Sequence, residues 1–239
     1  MRASALFRLS LLLLLSLAGC SLFRANPLEQ RRGAVVLLFD TRTAGDLKSL
    51  RKELSDHGAK ATFFVSGRIQ RGLANMLYDL RAEGHEIGLS GLKGMDPQMY
   101  SSIYGRQKYF QDEIVTQVLD AERENLNPRY CLLRYPGKMK AEALALPSFL
   151  VSKGFARVVD LMPDYMLPKP VSASELSSPV VHAYQMKANG FNRAQIASLA
   201  QRNRILVVSP DRKILPDLLA EAHAQGVPFA TVSDLKEVK

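Results

Sequence analysis

Short continuous apolar runs alternate along most of the chain with longer stretches whose apolar residues recur at helical spacing. The apolar runs at 35–39, 61–65, 86–89, 130–133, 156–159, 180–184, 205–208 and 229–232 predict strands. Helices are predicted between them at 46–57, 69–83, 106–125, 141–153, 193–202 and 215–225. Strands separated by helices of this length form parallel βαβ units, and strands apolar on both faces are covered on both. Seven or eight such units suit a closed β/α ring better than an open sheet. The expected fold is therefore α/β, a distorted (β/α) barrel of about seven parallel strands. Gly58, Gly84, Gly154 and Gly226 each end a helical run just before a strand, as helix stops do. Pro163, Pro168, Pro170 and Pro179 interrupt the alternation with an expected surface excursion.

The first residues break this pattern. Arg2 and Arg8 precede a leucine-rich run at 9–17, and Leu17-Ala18-Gly19-Cys20 follows. A basic start, a short apolar stretch and small residues form an export signal, too short for a spanning helix. LAGC resembles a bacterial lipobox, which implies acylation of Cys20 and anchorage in a membrane. Several acyl chains on one cysteine give durable attachment. The expected organisation is a lipoprotein signal peptide at 1–19, a lipidated tether at 20–33 and one domain at 34–239. Ser21 after the cysteine points to the outer membrane and a periplasm-facing protein.

Charge narrows the partners. The net charge of +9 falls to +7 once Arg2 and Arg8 leave with the signal. Such a balance suits lipid headgroups or an acidic glycan. Nucleic acid is not expected as a partner, because the chain is exported and lacks interleaved aromatic and basic residues. Cys131 is the only other cysteine, and with Cys20 acylated no internal disulfide is expected.

Strand ends of a β/α barrel converge on one face, so chemistry is sought there. The segments VVLLFDT, KATFFVSG and GHEIGLSG at 35–94 carry the first three strands. They resemble the opening motifs of polysaccharide deacetylases of the NodB-like carbohydrate esterase family, whose pattern is TFDDG, ATFF and GHEIGNH with a further His four positions on. Asp40 matches the first aspartate of that pattern, the catalytic base. Thr41 replaces the second aspartate, Ser90 the first histidine and Gly94 the second histidine. The resemblance implies that these three positions are where the family holds a divalent metal. Arg134 in Leu133-Arg134-Tyr135-Pro136-Gly137 resembles the family's R-x-P arginine, which pairs with the base. Asp164 and Tyr165 resemble its Asp-Trp motif, and Ser209 stands where the family has a histidine acid.

Chemistry gives these replacements their meaning. Acetyl hydrolysis draws its nucleophile from a metal that lowers the pKa of bound water, and hydroxyl side chains are poor zinc ligands. The expected site is thus Asp40 and Arg134 as the catalytic pair if the chain is active. Thr41, Ser90, Asp164, Tyr165, His182 and Ser209 are the expected binding residues, with no metal cofactor. His182, mid-strand at 180–184, is the one histidine with a chance of reaching that face. No Ser lies in a G-x-S-x-G elbow, so a Ser-His-Asp triad is not expected. Three functions remain open: an envelope lipoprotein that binds a glycan or partner without metal-dependent catalysis, an active carbohydrate deacetylase with a rearranged site, or a structural envelope protein.

Overall fold

The computed structural model describes residues 33–93, 102–126, 133–136, 152, 155, 157–162, 166–172, 180–202 and 204–236. Cys20, Gly94, Cys131, Gly154, Asp164, Tyr165 and all of the expected helix at 141–153 except residue 152 lie outside the described residues. The strands are β1 (Ala34–Thr41), β2 (Thr62–Val65), β3 (Glu86–Leu89), β4 (Leu133–Pro136), β5 (Val158–Met162), β6 (Val171–Ser172), β7 (Val180–Met186), β8 (Arg204–Pro210) and β9 (Phe229–Ala230).

Seven of these close into a ring of parallel strands, in the order β1-β2-β3-β4-β5-β7-β8 and back to β1. Closure runs through four register pairs from Ala34↔Ile205 to Leu37↔Val208. Two short strands fill gaps left by the strand stagger. Phe229 and Ala230 of β9 pair with the first half of β1, below the residues that β2 takes. Val171 and Ser172 of β6 lie antiparallel to the start of β8, below the residues that β7 takes. The proline-rich interval thus contributes a strand that its composition does not predict.

Alternation along the strands sorts side chains into two cores. Ala34, Val36, Leu38, Phe64, Val159, Leu161, Val181, Ala183, Ile205 and Val207 fill the barrel. Val35, Leu37, Phe39, Phe63, Val65, Tyr184, Leu206 and Val208 face outward onto the helices. Because both faces are buried, the strands read as unbroken apolar runs rather than alternating ones.

The helical layer follows from the spacing of its leucines. In α1 (Ala44–Asp56), Leu47, Leu50 and Leu54 recur at intervals that share one face. In α2 (Arg71–Ala82), Leu73, Ala74, Leu77 and Leu80 do the same. Burying each such leucine stabilises the fold by about 2 kcal/mol. Next, α3 runs as an α-helix at Arg106–Tyr109, a π-helical turn at Phe110–Val115 and an α-helix again at Thr116–Arg123. After it come α4 (Arg193–Arg202) and α5 (Leu215–Ala224). Gly58 and Gly84, expected as helix stops, have φ of 59° and 87°, a region costly for residues with a Cβ.

Candidate functional site

The side chains that face into the barrel end at its mouth as a row of polar groups. Asp40 follows Leu38 on the inner face of β1, and Ser66 follows Phe64 one residue past β2. The Ser66 hydroxyl donates to Asp40 Oδ1 at 3.1 Å. Backbone bonds carry the ladder past the strand ends, from Ser66 N–H to the Thr41 carbonyl and from Ser90 N–H to the Val65 carbonyl, both at 2.9 Å. Ser90 is buried and takes its place one strand further round. On the other side, Ser209 and Gln185 pair in register as the inward successors of Val207 and Ala183. Arg134 pairs in register with Val159, an inward position of β5.

Two open clefts flank this row. One, of about 510 Å³, contains Asp40, Ser209, Ser49, Asp211 and Arg212. Its Arg212 donates to Ser49 Oγ at 2.7 Å and lies 3.2 Å from Glu53, which ties the β8 loop to α1. The second, of about 520 Å³, begins at Ser66 and is lined by Arg42, Arg68 and Lys93. The Ser66–Asp40 hydrogen bond therefore joins the walls of the two clefts.

Buried polar residues of α3 set the loops that shape the mouth. Gln117 is fully buried; its Oε1 accepts from Gly91 N–H at 3.0 Å and its Nε2 donates to the Val65 and Gly67 carbonyls at 2.8 and 2.9 Å. Glu113 Oε2 accepts from Lys93 N–H at 2.7 Å. Asp120 binds the Arg68 guanidinium through both Oδ atoms and Arg123 at 3.2 Å. One helix thus pins the loops after β2 and after β3.

A parallel seven-stranded barrel with an aspartate at the end of β1 is the setting of a known domain. The family profile for polysaccharide deacetylase matches residues 28–145. Those residues carry a polysaccharide deacetylase domain. Among solved structures, a peptidoglycan deacetylase from Bacillus subtilis shares 18% identity at a TM-score of 0.52, over 87% of this chain and 91% of that one. A family 4 carbohydrate esterase from Bacillus anthracis shares 16% at 0.52, over 90% and 91%. A mutant of a family pseudoenzyme with restored enzymatic activity shares 15% at 0.53, over 86% of this chain and 68% of that one. These likenesses establish the deacetylase fold. The comparison with curated proteins gave no match.

The motif resemblance implies that Thr41, Ser90 and Gly94 stand at the family's metal-holding positions. Thr41 pairs with Val65, an outward position, and its hydroxyl donates to the Thr43 carbonyl at 3.3 Å. Ser90 offers a buried hydroxyl. Among the described residues no three His, Cys, Asp or Glu side chains gather as metal ligands do. These donors do not fit a divalent metal at neutral pH, where His, Cys and carboxylate are the competent ligands.

His182 is a correction. It stands in register with Asp160, between the inward residues Val181 and Ala183, so strand alternation turns it to the outer face, away from Asp40. Its Nδ1 lies 3.6 Å from Asp160 Oδ2, and that carboxylate raises the imidazole pKa. Among the described residues Asp160 Oδ1 is buried with no hydrogen-bond partner. Asp160, between the inward residues Val159 and Leu161, thus belongs to the outer layer as well. Tyr184 is buried in the outer core, whereas Tyr104 is exposed.

Sequence reasoning missed Arg42, Arg68 and Lys93, which come from three different loops, and the α3 row Glu113, Gln117 and Asp120. The row had a signal, three polar residues at helical spacing, but that spacing ordinarily marks a solvated face.

Proposed function

We propose that this protein is a lipid-anchored envelope protein whose deacetylase barrel binds a cell-envelope glycan at the Asp40 mouth without metal-dependent hydrolysis. The observation that carries the reading is the chemistry of the mouth: Asp40 bonded to Ser66, with hydroxyls at Ser90 and Ser209 where the family pattern has histidines. A carboxylate among hydroxyls can accept and donate hydrogen bonds to sugar hydroxyls. It lacks the means to make a strong nucleophile from water. The family accommodates this outcome, since one structural neighbour derives from a pseudoenzyme. The relatives' names point to peptidoglycan as a candidate glycan.

A purified full-length chain should carry well under one zinc ion, retain peptidoglycan or N-acetylglucosamine oligomers, and release no acetate from them. Asp40→Asn should weaken retention. One tightly held zinc per chain together with acetate release would overturn the reading. Retention of no glycan would instead favour a structural role.

A second reading, an active deacetylase, draws on the exposed Asp40 carboxylate oriented by Ser66. A positioned general base alone accelerates a reaction by about 10²–10⁴. That reading requires acetate release which Asp40→Asn abolishes.

A further inference from the structure

We propose that the cleft next to Asp40 takes the carboxylate groups of an acidic, uronic-acid-bearing polysaccharide, gripped by Arg42, Arg68 and Lys93. The inference rests on the glycan-binding reading and names the class of glycan. The three cations come from the loops after β1, β2 and β3 and line one cleft of about 520 Å³ with Ser66, Thr43, Gln70 and Gly72. No carboxylate is among its described lining residues.

Two of the cations are held in place by buried carboxylates of α3. Asp120, 2% exposed, grips the Nε and Nη2 edge of Arg68, while the side chain of Arg68 remains more than half exposed. Asp120 is shared with Arg123, so one negative charge serves two arginines. Glu113, 1% exposed, fixes Lys93 through its backbone N–H and leaves the ammonium to the solvent side. Arg42 is exposed at the turn that follows Thr41. Exposed cations on a prearranged frame suit a carboxylate, which a guanidinium can bind with two parallel hydrogen bonds. The start of α2 adds to the same sign, since its first turn carries no acidic residue and Gln70 makes no side-chain cap.

An acidic glycan fits better than a lipid surface for geometric reasons. The cations line a concave cleft that opens beside Asp40 and Ser66, whereas a bilayer presents its headgroups to convex, protruding surfaces. The cleft also lies at the barrel end opposite Gly33, where the tether joins β1.

The test uses the full-length chain and three probes: polygalacturonate, N-acetylglucosamine oligomers and phosphatidylglycerol-containing vesicles. Polygalacturonate should be retained, less so as salt rises. Arg42→Ala with Lys93→Ala should weaken that retention about tenfold or more, as loss of charge-assisted hydrogen bonds implies. Arg42→Lys with Lys93→Arg should preserve it, which separates charge from folding. Retention of the neutral oligomers but not of polygalacturonate would overturn the inference and leave the glycan reading standing. Retention of neither would overturn both. Vesicle binding that the double alanine variant abolishes, without polygalacturonate binding, would assign the cations to lipid headgroups and also overturn it.

Discussion

Burial and the nearby Lys60 ammonium push the His85 imidazole down to a pKa of about 4. The ring packs edge-on to Phe63, and its Nδ1 accepts the Ala61 N–H at 3.2 Å, which places the neutral tautomer's proton on Nε2. The sign of the resulting pH dependence follows. Unfolded chain binds the proton near the ordinary value of 6.5, while the folded chain resists it down to about 4. Stability from His85 is therefore complete above about pH 6.5 and falls away toward pH 4, by up to about 3 kcal/mol. Urea unfolding at pH 7 and pH 4.5 should show this loss, and His85→Gln, which keeps an acceptor but does not titrate, should remove much of it. Glu86 shifts the other way. Burial raises its pKa although Thr62 and both donors of Ser233 bond to its carboxyl. Both residues were legible only in part: GHE marks the start of a strand, but neither burial nor partner is local information.

Among the helices, α3 contributes most to the mouth without entering it. Glu113, Gln117 and Asp120 lie on one face and are all buried, contrary to the solvated stripe their spacing suggests. Its π-helical turn, Phe110–Val115, includes Glu113, which meets Lys93 N–H. π-helical turns within α-helices recur at functional sites. Replacing Gln117 with Leu keeps volume but strips partners from Gly91 N–H and the Val65 and Gly67 carbonyls. Orphaned buried groups cost about 1–3 kcal/mol each. The expected outcome is destabilisation by about 2–4 kcal/mol in chemical denaturation, with weaker polygalacturonate retention because both loops lose their tie. Gln117→Glu tests the same point with retained shape, and should be destabilising through its buried charge.

The barrel as a whole separates its two ends. The strand β1 enters at Gly33, where an added Cβ would lie 2.1 Å from the Leu199 carbonyl oxygen, so the backbone passes close against α4. It leaves at Asp40, seven residues on, about 23 Å away at the rise of an extended strand. With Cys20 acylated, the tether at 20–33 spans at most about 45 Å. An anchored chain would thus hold the mouth on the far side from its attachment point. Cys20→Ala should release the protein from the membrane fraction while leaving glycan retention by the purified chain unchanged, which fractionation and pull-down can measure. No helix among the described residues is long and apolar enough to cross a membrane.

The amino-acid sequence determined the alternation of the ring strands with helices, the parallel barrel and the identity of the groups at the strand ends. These depend on local periodicity and on motifs read one segment at a time, and the sheet's two buried faces write themselves into the chain as unbroken apolar runs. Asp40 beside Ser66 was half legible in the same way. Tertiary structure alone decided which strand face looks inward, because alternation fixes two faces but only ring closure makes one of them the lumen. That decision turned His182 and Asp160 outward, and it aligned Ser90, Ser209 and Gln185 with the mouth. It also brought Arg42, Arg68 and Lys93 together from three loops and buried the polar row of α3 behind them. Side chains that meet across dozens of residues carry no spacing for a sequence to display; closure of the barrel supplies it.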